Sequence, residues 1–194
     1  MSYIQEGSLD ETNYPLFAAM KQKYGFIPNL YRAQSMRPDL LEAQAQLINT
    51  LLIKEGVLPR KHKEYIFLVC SAANLSTYCV TAHCEIIRTL GIEGPEPEQI
   101  AVDYTATNLP LPLKALLHFA TKLTMEPTKI SRADVDTLRT FGYADEQIHE
   151  TVALVGAAKY ANFLAFGLGT LPDFDSSRVQ LPAKEENSLA RPVL

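Results

Sequence analysis

Four residues of this chain have types and spacings that could do chemistry: Glu64, Ser76, Cys79 and His83. Cys79 and His83 are four apart, so on one helix they share a face. A thiol near a helix start with an imidazole beside it is biased towards thiolate, because the helix dipole and an imidazolium both stabilise the anion. Ser76 is three residues before Cys79 and falls on the same stripe. A cysteine at Ser76 would complete a Cys-x-x-Cys redox pair; the chain has a hydroxyl there instead. Glu64 stands in the otherwise apolar run Glu64-Tyr65-Ile66-Phe67-Leu68-Val69-Cys70. Such a carboxylate is either a solvated helix edge or buried with a partner. Partly buried next to a histidine and a cysteine, it would titrate above its ordinary value and could relay protons. Tyr78, just before the thiol, reads as packing or as a hydroxyl at a pocket mouth.

The other cysteines read differently. Cys84 lies five residues beyond Cys79, about 140° round a helix and roughly 8–9 Å away, too far for a disulfide without unwinding. Cys70 points off the Glu64 face, and both read as packing residues. Three cysteines are too few and too close for a disulfide framework. No second Cys/His pair accompanies Cys79 and His83, so no metal site is expected, and no cofactor either.

The elements that must position these residues are helical. Hydrophobic periodicity of the helical kind recurs from end to end, with no sustained alternation and no Asn-Gly or Asp-Gly hairpin turn. Glycine and proline punctuate it. Helices are expected over 16–24, 39–55, 59–73, 77–90, 97–104, 113–125, 132–141 and 146–166, the last capped by Asp145. The second of these sets Leu40, Leu41, Leu47, Ile48, Leu51 and Leu52 on its apolar side. The break at Asn74-Leu75 separates the helix of Glu64 from that of Cys79. The fold class is all-α: a single helical domain over 1–172, followed by a polar, proline-containing tail over 173–194, mobile or laid over a partner subunit.

With 194 residues, 47% of them hydrophobic and 21% charged, the chain can build a full core and is not of disordered composition. Its net charge is −4, and no basic cluster exceeds Arg60-Lys61-His62-Lys63, so no nucleic-acid partner is expected. No apolar run nears the ~20 residues that span a bilayer, and no secretory signal opens the chain. The expectation is no membrane partner and a cytoplasmic location.

At these residues the sequence resembles the carboxymuconolactone decarboxylase and alkylhydroperoxidase-D (AhpD-like) superfamily, in its peroxidase-related branch. The hallmark is Glu, eleven residues, Cys-x-x-Cys, three residues, His; here it runs Glu64, eleven residues, Ser76-x-x-Cys79, three residues, His83. Tyr78-Cys79-Val80-Thr81-Ala82-His83, Gly25-Phe26-Ile27-Pro28-Asn29-Leu30 and Gly142-Tyr143-Ala144-Asp145-Glu146-Gln147-Ile148 also look like that branch, and the likeness covers roughly residues 14 to 172. It implies an AhpD-like helical domain assembled as a homo-oligomer. It implies a thiol peroxidase in which Cys79 attacks a hydroperoxide or a related electrophile, Glu64 and His83 relay protons, and Ser76 holds the resolving position without being able to form a disulfide. An external thiol would then be the reductant. The decarboxylase branch, which lacks the cysteine pair, implies an alternative: an acid–base lyase using Glu64 and His83. A helical oligomer acting only as a binding protein is the third reading. The chain departs from its relatives at Leu75, where many have glycine, and at Ala165 and Phe166, where an asparagine and an arginine often accompany the residue matching Asn162.

The final helix is apolar or small nearly all round from Val152 to Phe166. It must be covered on all sides, by its own domain or by a second copy.

Overall fold

The computed structural model describes residues 2–12, 14–179 and 181. Among them there is no strand. The elements are α1 (Pro15–Tyr24), α2 (Asn29–Arg32), α3 (Pro38–Ile48), α4 (Arg60–Ala73), α5 (Thr77–Thr89), α6 (Pro97–Asp103), α7 (Leu111–Met125), α8 (Arg132–Thr140) and α9 (Asp145–Gly167). Proline opens α1, α3, α6 and α7, where its missing N–H has no helical partner to lose.

The helix expected over 39–55 does not run through as one α-helix. It leaves the α form after Ile48 and continues as a π-helical stretch, Asn49–Ile53. Its end is closed by a buried lysine: Lys63 Nζ donates to the carbonyls of Leu51 (3.0 Å) and Lys54 (3.2 Å) and pairs with Glu150 at 2.8 Å. Carbonyls that a helix end leaves unpartnered are thereby satisfied. Of its expected apolar side, Leu41 and Leu52 are buried while Leu40 and Leu47 remain exposed. The last helix is capped differently from expectation: Asp145 is its first helical residue, and Gln147 Oε1 accepts the Ala144 N–H at 3.0 Å.

The core is organised round α4. Every residue from Lys63 to Ala72 is buried, and the helix packs against α5, α7 and α9. A short run of ten buried residues cannot be amphipathic; it is covered on all faces, which explains its sequence. The apolar character of α9 has another cause. One side of it is buried through Leu154, Val155, Ala158, Ala161 and Ala165, while Val152, Tyr160 and Phe163 are exposed.

Four helices end in the same device, with an N–H bonding back five residues and its predecessor bonding back three, round a left-handed residue. At the ends of α5, α8 and α9 the left-handed residue is Gly91, Gly142 and Gly169. At the end of α4 it is Leu75, with φ 57°. A side chain in this conformation costs roughly 1–2 kcal/mol. The strained turn, closed by Leu75 N to Ala72 O and Ser76 N to Ser71 O, aims α5 and its cysteine at the body of the fold.

The first part of the expected tail lies on the chain's own body. Asp173 accepts the Asn29 N–H and the Tyr78 hydroxyl, Phe174 meets Phe26 edge-on at 6.1 Å, and Val179 and Leu181 pack on the core. The remaining tail positions, 180 and 182–194, fall outside the described residues.

Candidate active site

α4 and α5 run side by side, and their contact brings Glu64 and His83 together. His83 Nδ1 lies 2.7 Å from Glu64 Oε2. Glu64 is wholly buried and His83 nearly so. The sequence pattern left Glu64 open between a solvated edge and a buried, partnered place; the structure gives the second. Its other oxygen, Oε1, accepts from Arg60 Nε at 2.7 Å. Arg60 is one turn before Glu64 on α4, the spacing of a helical ion pair.

Burial pushes the Glu64 carboxyl up, but His83 and Arg60 more than reverse it and hold it below its ordinary value. This overturns the expectation of a raised carboxyl, and the reason is His83 first, with Arg60 adding to it. An ionised carboxylate can only accept, so His83 Nδ1 carries the hydrogen and donates it. Nε2 is left to exchange protons. The Phe67 ring lies 4.7 Å from the imidazole and fixes its plane further.

Cys79 is in the first turn of α5, and Ser76 is that helix's N-cap residue. The thiol is 4% exposed, packed with Leu30, Tyr78, Ala161 and Ala165 in a small cluster beside the main core. Burial pushes its pKa up, and the polar neighbours Ser76, Asn162 and Ser71 pull it only partly back. The expected bias to thiolate therefore does not hold at rest: desolvation outweighs the favourable helix start, and the imidazole's Nδ1 is engaged by Glu64. Cys70 and Cys84 are also buried, both pushed up to about 12 by desolvation. They are packing residues, as their spacing indicated.

Tyr78 resolves into a tie rather than a pocket-mouth donor. Its hydroxyl donates to Asp173 Oδ2 at 2.7 Å and accepts the Leu30 N–H at 3.2 Å. Burial and the neighbouring Asp173 push this phenol far up. Two surface cavities among the described residues, about 140 Å³ beside Asn29 and Arg32 and about 340 Å³ beside Cys84 and Arg88, do not include Cys79. Among the described residues no group of His, Cys, Asp and Glu could hold a metal ion, and no helix is long and apolar enough to cross a membrane.

Sequence reasoning missed Arg60, Ser71, Asn74 and Asp173. Only Arg60 carried a local signal, its spacing of four from Glu64. The others reach the site from helix ends and loops distant in sequence.

An all-helical body of this architecture, with its glutamate and histidine on adjacent helices and its thiol at a helix start, places the chain in the AhpD-like superfamily. Its structure is similar to the alkylhydroperoxidase AhpD core of an uncharacterized peroxidase-related protein from Ralstonia eutropha JMP134, with 28% identity, TM-score 0.83 and coverage of 90% of this chain and 94% of that one. It is also similar to an uncharacterized peroxidase-related protein from Silicibacter sp. TM1040, with 26% identity, TM-score 0.79 and coverage of 86% and 87%. The debrominase Bmp8, solved in complex with 2,3,4-tribromopyrrole, shares the fold at 20% identity and TM-score 0.73, over 94% and 95% of the chains. No protein-family profile matches the chain, and no curated protein is significantly similar to it.

Proposed function

We propose that this protein is a single-cysteine thiol peroxidase, reducing a hydroperoxide or a related electrophile through Cys79. The observation that supports it is a buried Glu64–His83 pair, locked by Arg60, one helical turn beyond a buried thiol with polar partners. The Cys79 sulfur attacks the terminal peroxide oxygen and the O–O bond breaks. The thiol proton passes through His83, by way of water, to the departing alkoxide, giving an alcohol and a sulfenic acid. An external thiol then condenses with the sulfenic acid, releasing water and leaving a mixed disulfide. A second equivalent of that thiol restores Cys79 and leaves as the external disulfide. Because burial holds the resting group as a thiol, the base is needed at the moment of attack rather than before it.

The test is mass mapping of sulfenic acid with a dimedone probe after one equivalent of an organic hydroperoxide. We expect adducts at Cys79 alone, and thiol-dependent peroxide consumption at least 100-fold lower in Cys79→Ser. Unmodified Cys79 alongside unchanged consumption in Cys79→Ser would overturn the assignment. That outcome would favour the second reading, an acid–base lyase using Glu64 and His83. The burial of Cys79 beneath Leu30 and Tyr78 is what keeps this reading in view.

The homo-oligomer is part of the same proposal. Val152, Gly156, Tyr160 and Phe163 form one exposed line along α9, with Phe163 62% exposed. The spacing is helical, and a glycine in mid-line lets a second backbone approach. We expect at least a dimer by sedimentation at micromolar concentration, shifted towards monomer by Phe163→Glu. A 21.6 kDa species for the unmodified chain is the contrary result.

A further inference from the structure

The Cys79 thiol is covered, and the cover is fastened at one carboxylate. Cys79 is 4% exposed and packs with Leu30 of α2, its neighbour Tyr78, and Ala161 and Ala165 of α9. A reagent that meets the sulfur must first displace one of these. α5 and α9 both pack on α4 and are held by the core. α2 is not: it is four residues long and makes no extensive contact with any other helix among the described residues. Hydrogen bonds tie it down instead. Asp173, half-buried just beyond α9, accepts the Asn29 N–H at Oδ1 (3.0 Å) and the Tyr78 hydroxyl at Oδ2 (2.7 Å). The Tyr78 oxygen in turn accepts the Leu30 N–H at 3.2 Å. Beside this ring, Asn29 Nδ2 donates to the Leu171 carbonyl at 3.2 Å, and Phe174 meets Phe26 edge-on. Further along, the chain of α2 is joined to the non-helical N-terminal segment by Arg32 with Glu6 and by Ser35 Oγ accepting the Gly7 N–H.

We propose that the segment 171–174 is a latch that fastens α2 over Cys79, with Asp173 as its positioning residue, and that release of the Asp173–Tyr78 bond lifts α2 and admits reagents to the thiol. Elements with few buried contacts open locally at a small fraction of the cost of global unfolding. Leu30 is the one side chain of α2 that is buried, so little apolar surface is lost when that helix lifts. Asp173 reaches solvent, so water can replace the Asn29 and Tyr78 donors as they leave its oxygens. The closed state keeps the sulfur dry and unreactive; the open state lets a small molecule in, as lids do elsewhere. This concerns access to the thiol and goes beyond the peroxidase reading: it holds equally if Cys79 only lines an acid–base pocket.

The experiment is the rate of Cys79 alkylation by iodoacetamide, a neutral reagent, read by mass mapping across a pH series. Cys70, buried between α4 and α7 and away from the latch, is the control in the same chain. No peroxide is used, so the result is separate from that of the sulfenic acid test. Tyr78→Phe keeps the ring and every charge and removes only the hydroxyl that joins Asp173 to Leu30. We expect it to label Cys79 about tenfold faster, the scale of one hydrogen bond to a charged group, by the same factor at every pH. A change in the thiol's own ionisation would instead move the midpoint. Hydrogen exchange supplies the second reading. The N–H groups of Tyr31 to Ser35 bond to carbonyls within 28–32 and lose no partner in this variant, so their faster exchange reports the lifting of α2 itself. Unchanged Cys79 labelling, a moved midpoint without faster exchange at 31–35, or Cys70 accelerated as much as Cys79 overturns the proposal. Should Tyr78→Phe fail to fold, Asp173→Ala decides by the same outcomes.

Discussion

Replacing Glu64 by alanine is expected to destabilise the fold by about 3 kcal/mol, the range found when one member of a buried ion pair is removed. Glu64 is wholly buried, with Arg60 on one oxygen and His83 on the other. Without it His83 loses its orienting acceptor, and a cavity opens between α4 and α5. Arg60 is partly exposed and can turn to water, which keeps the loss at the lower end. Glu64→Gln separates charge from shape: it should fold, yet slow the oxidation of Cys79 by roughly 10²–10³-fold, the scale of a lost acid–base group. The pH dependence follows from the lowered carboxyl. A carboxyl lower in the folded than in the unfolded state contributes stability above its unfolded pKa and loses it as pH falls through the folded one. The denaturant midpoint of the wild type should therefore drop from roughly pH 5 downwards, and its advantage over Glu64→Gln should shrink over the same window. A gap between the two that stays constant down to pH 3 would show that Glu64 contributes nothing as an ion.

What the sequence could disclose was what local spacing encodes. Helix starts at proline and ends at glycine were legible because each rests on one residue's backbone preference. The all-α body follows from periodicity, and the meeting of Glu64 with His83 was anticipated by their places on consecutive helices. The π-helical end of α3 was not legible, because Lys63 and Glu150 close it from elsewhere in the chain. Nor was the chemistry of the thiol. A helix start and a neighbouring histidine argue for thiolate, but four buried neighbours desolvate the sulfur and win. Asn162 sat in full view within an apolar helix. Its hydrogen-bond partners, Asn74 and Ser71, lie 88 and 91 residues away. Asp173 looked like the start of a tail because its partner, Tyr78, is 95 residues distant. Burial and long-range pairing set these details, and neither is written in a window of ten residues.

Ser76→Cys is expected to change the activity most, by gain rather than loss. Ser76 is the N-cap of α5 and Cys79 its third residue. At 1.5 Å rise and 100° per residue, positions three apart on a helix have Cα atoms about 5 Å apart, within the span a disulfide bridges. Ser76 is buried and its hydroxyl has no hydrogen-bond partner among the described residues, so a sulfur in its place breaks no bond. Oxidation of Cys79 by a hydroperoxide would yield the sulfenic acid. The introduced thiol would then attack that sulfur, expelling water and closing the disulfide within the chain. A small dithiol would reopen it and leave as its own disulfide, which balances the cycle. Resolution inside the chain replaces an encounter with an external thiol at a 4% exposed sulfur. Dithiol-dependent peroxide turnover should rise at least tenfold above wild type, an effective-concentration gain well inside what intramolecular reactions reach. Mass spectrometry of the oxidised variant should show the two-hydrogen loss of a disulfide joining the introduced thiol to Cys79. If the oxidised variant instead keeps two free thiols, or accumulates sulfinic acid at Cys79, then the left-handed turn at Leu75 has moved the N-cap out of line. The serine would then mark a site whose geometry, and not only its residue, differs from a redox pair.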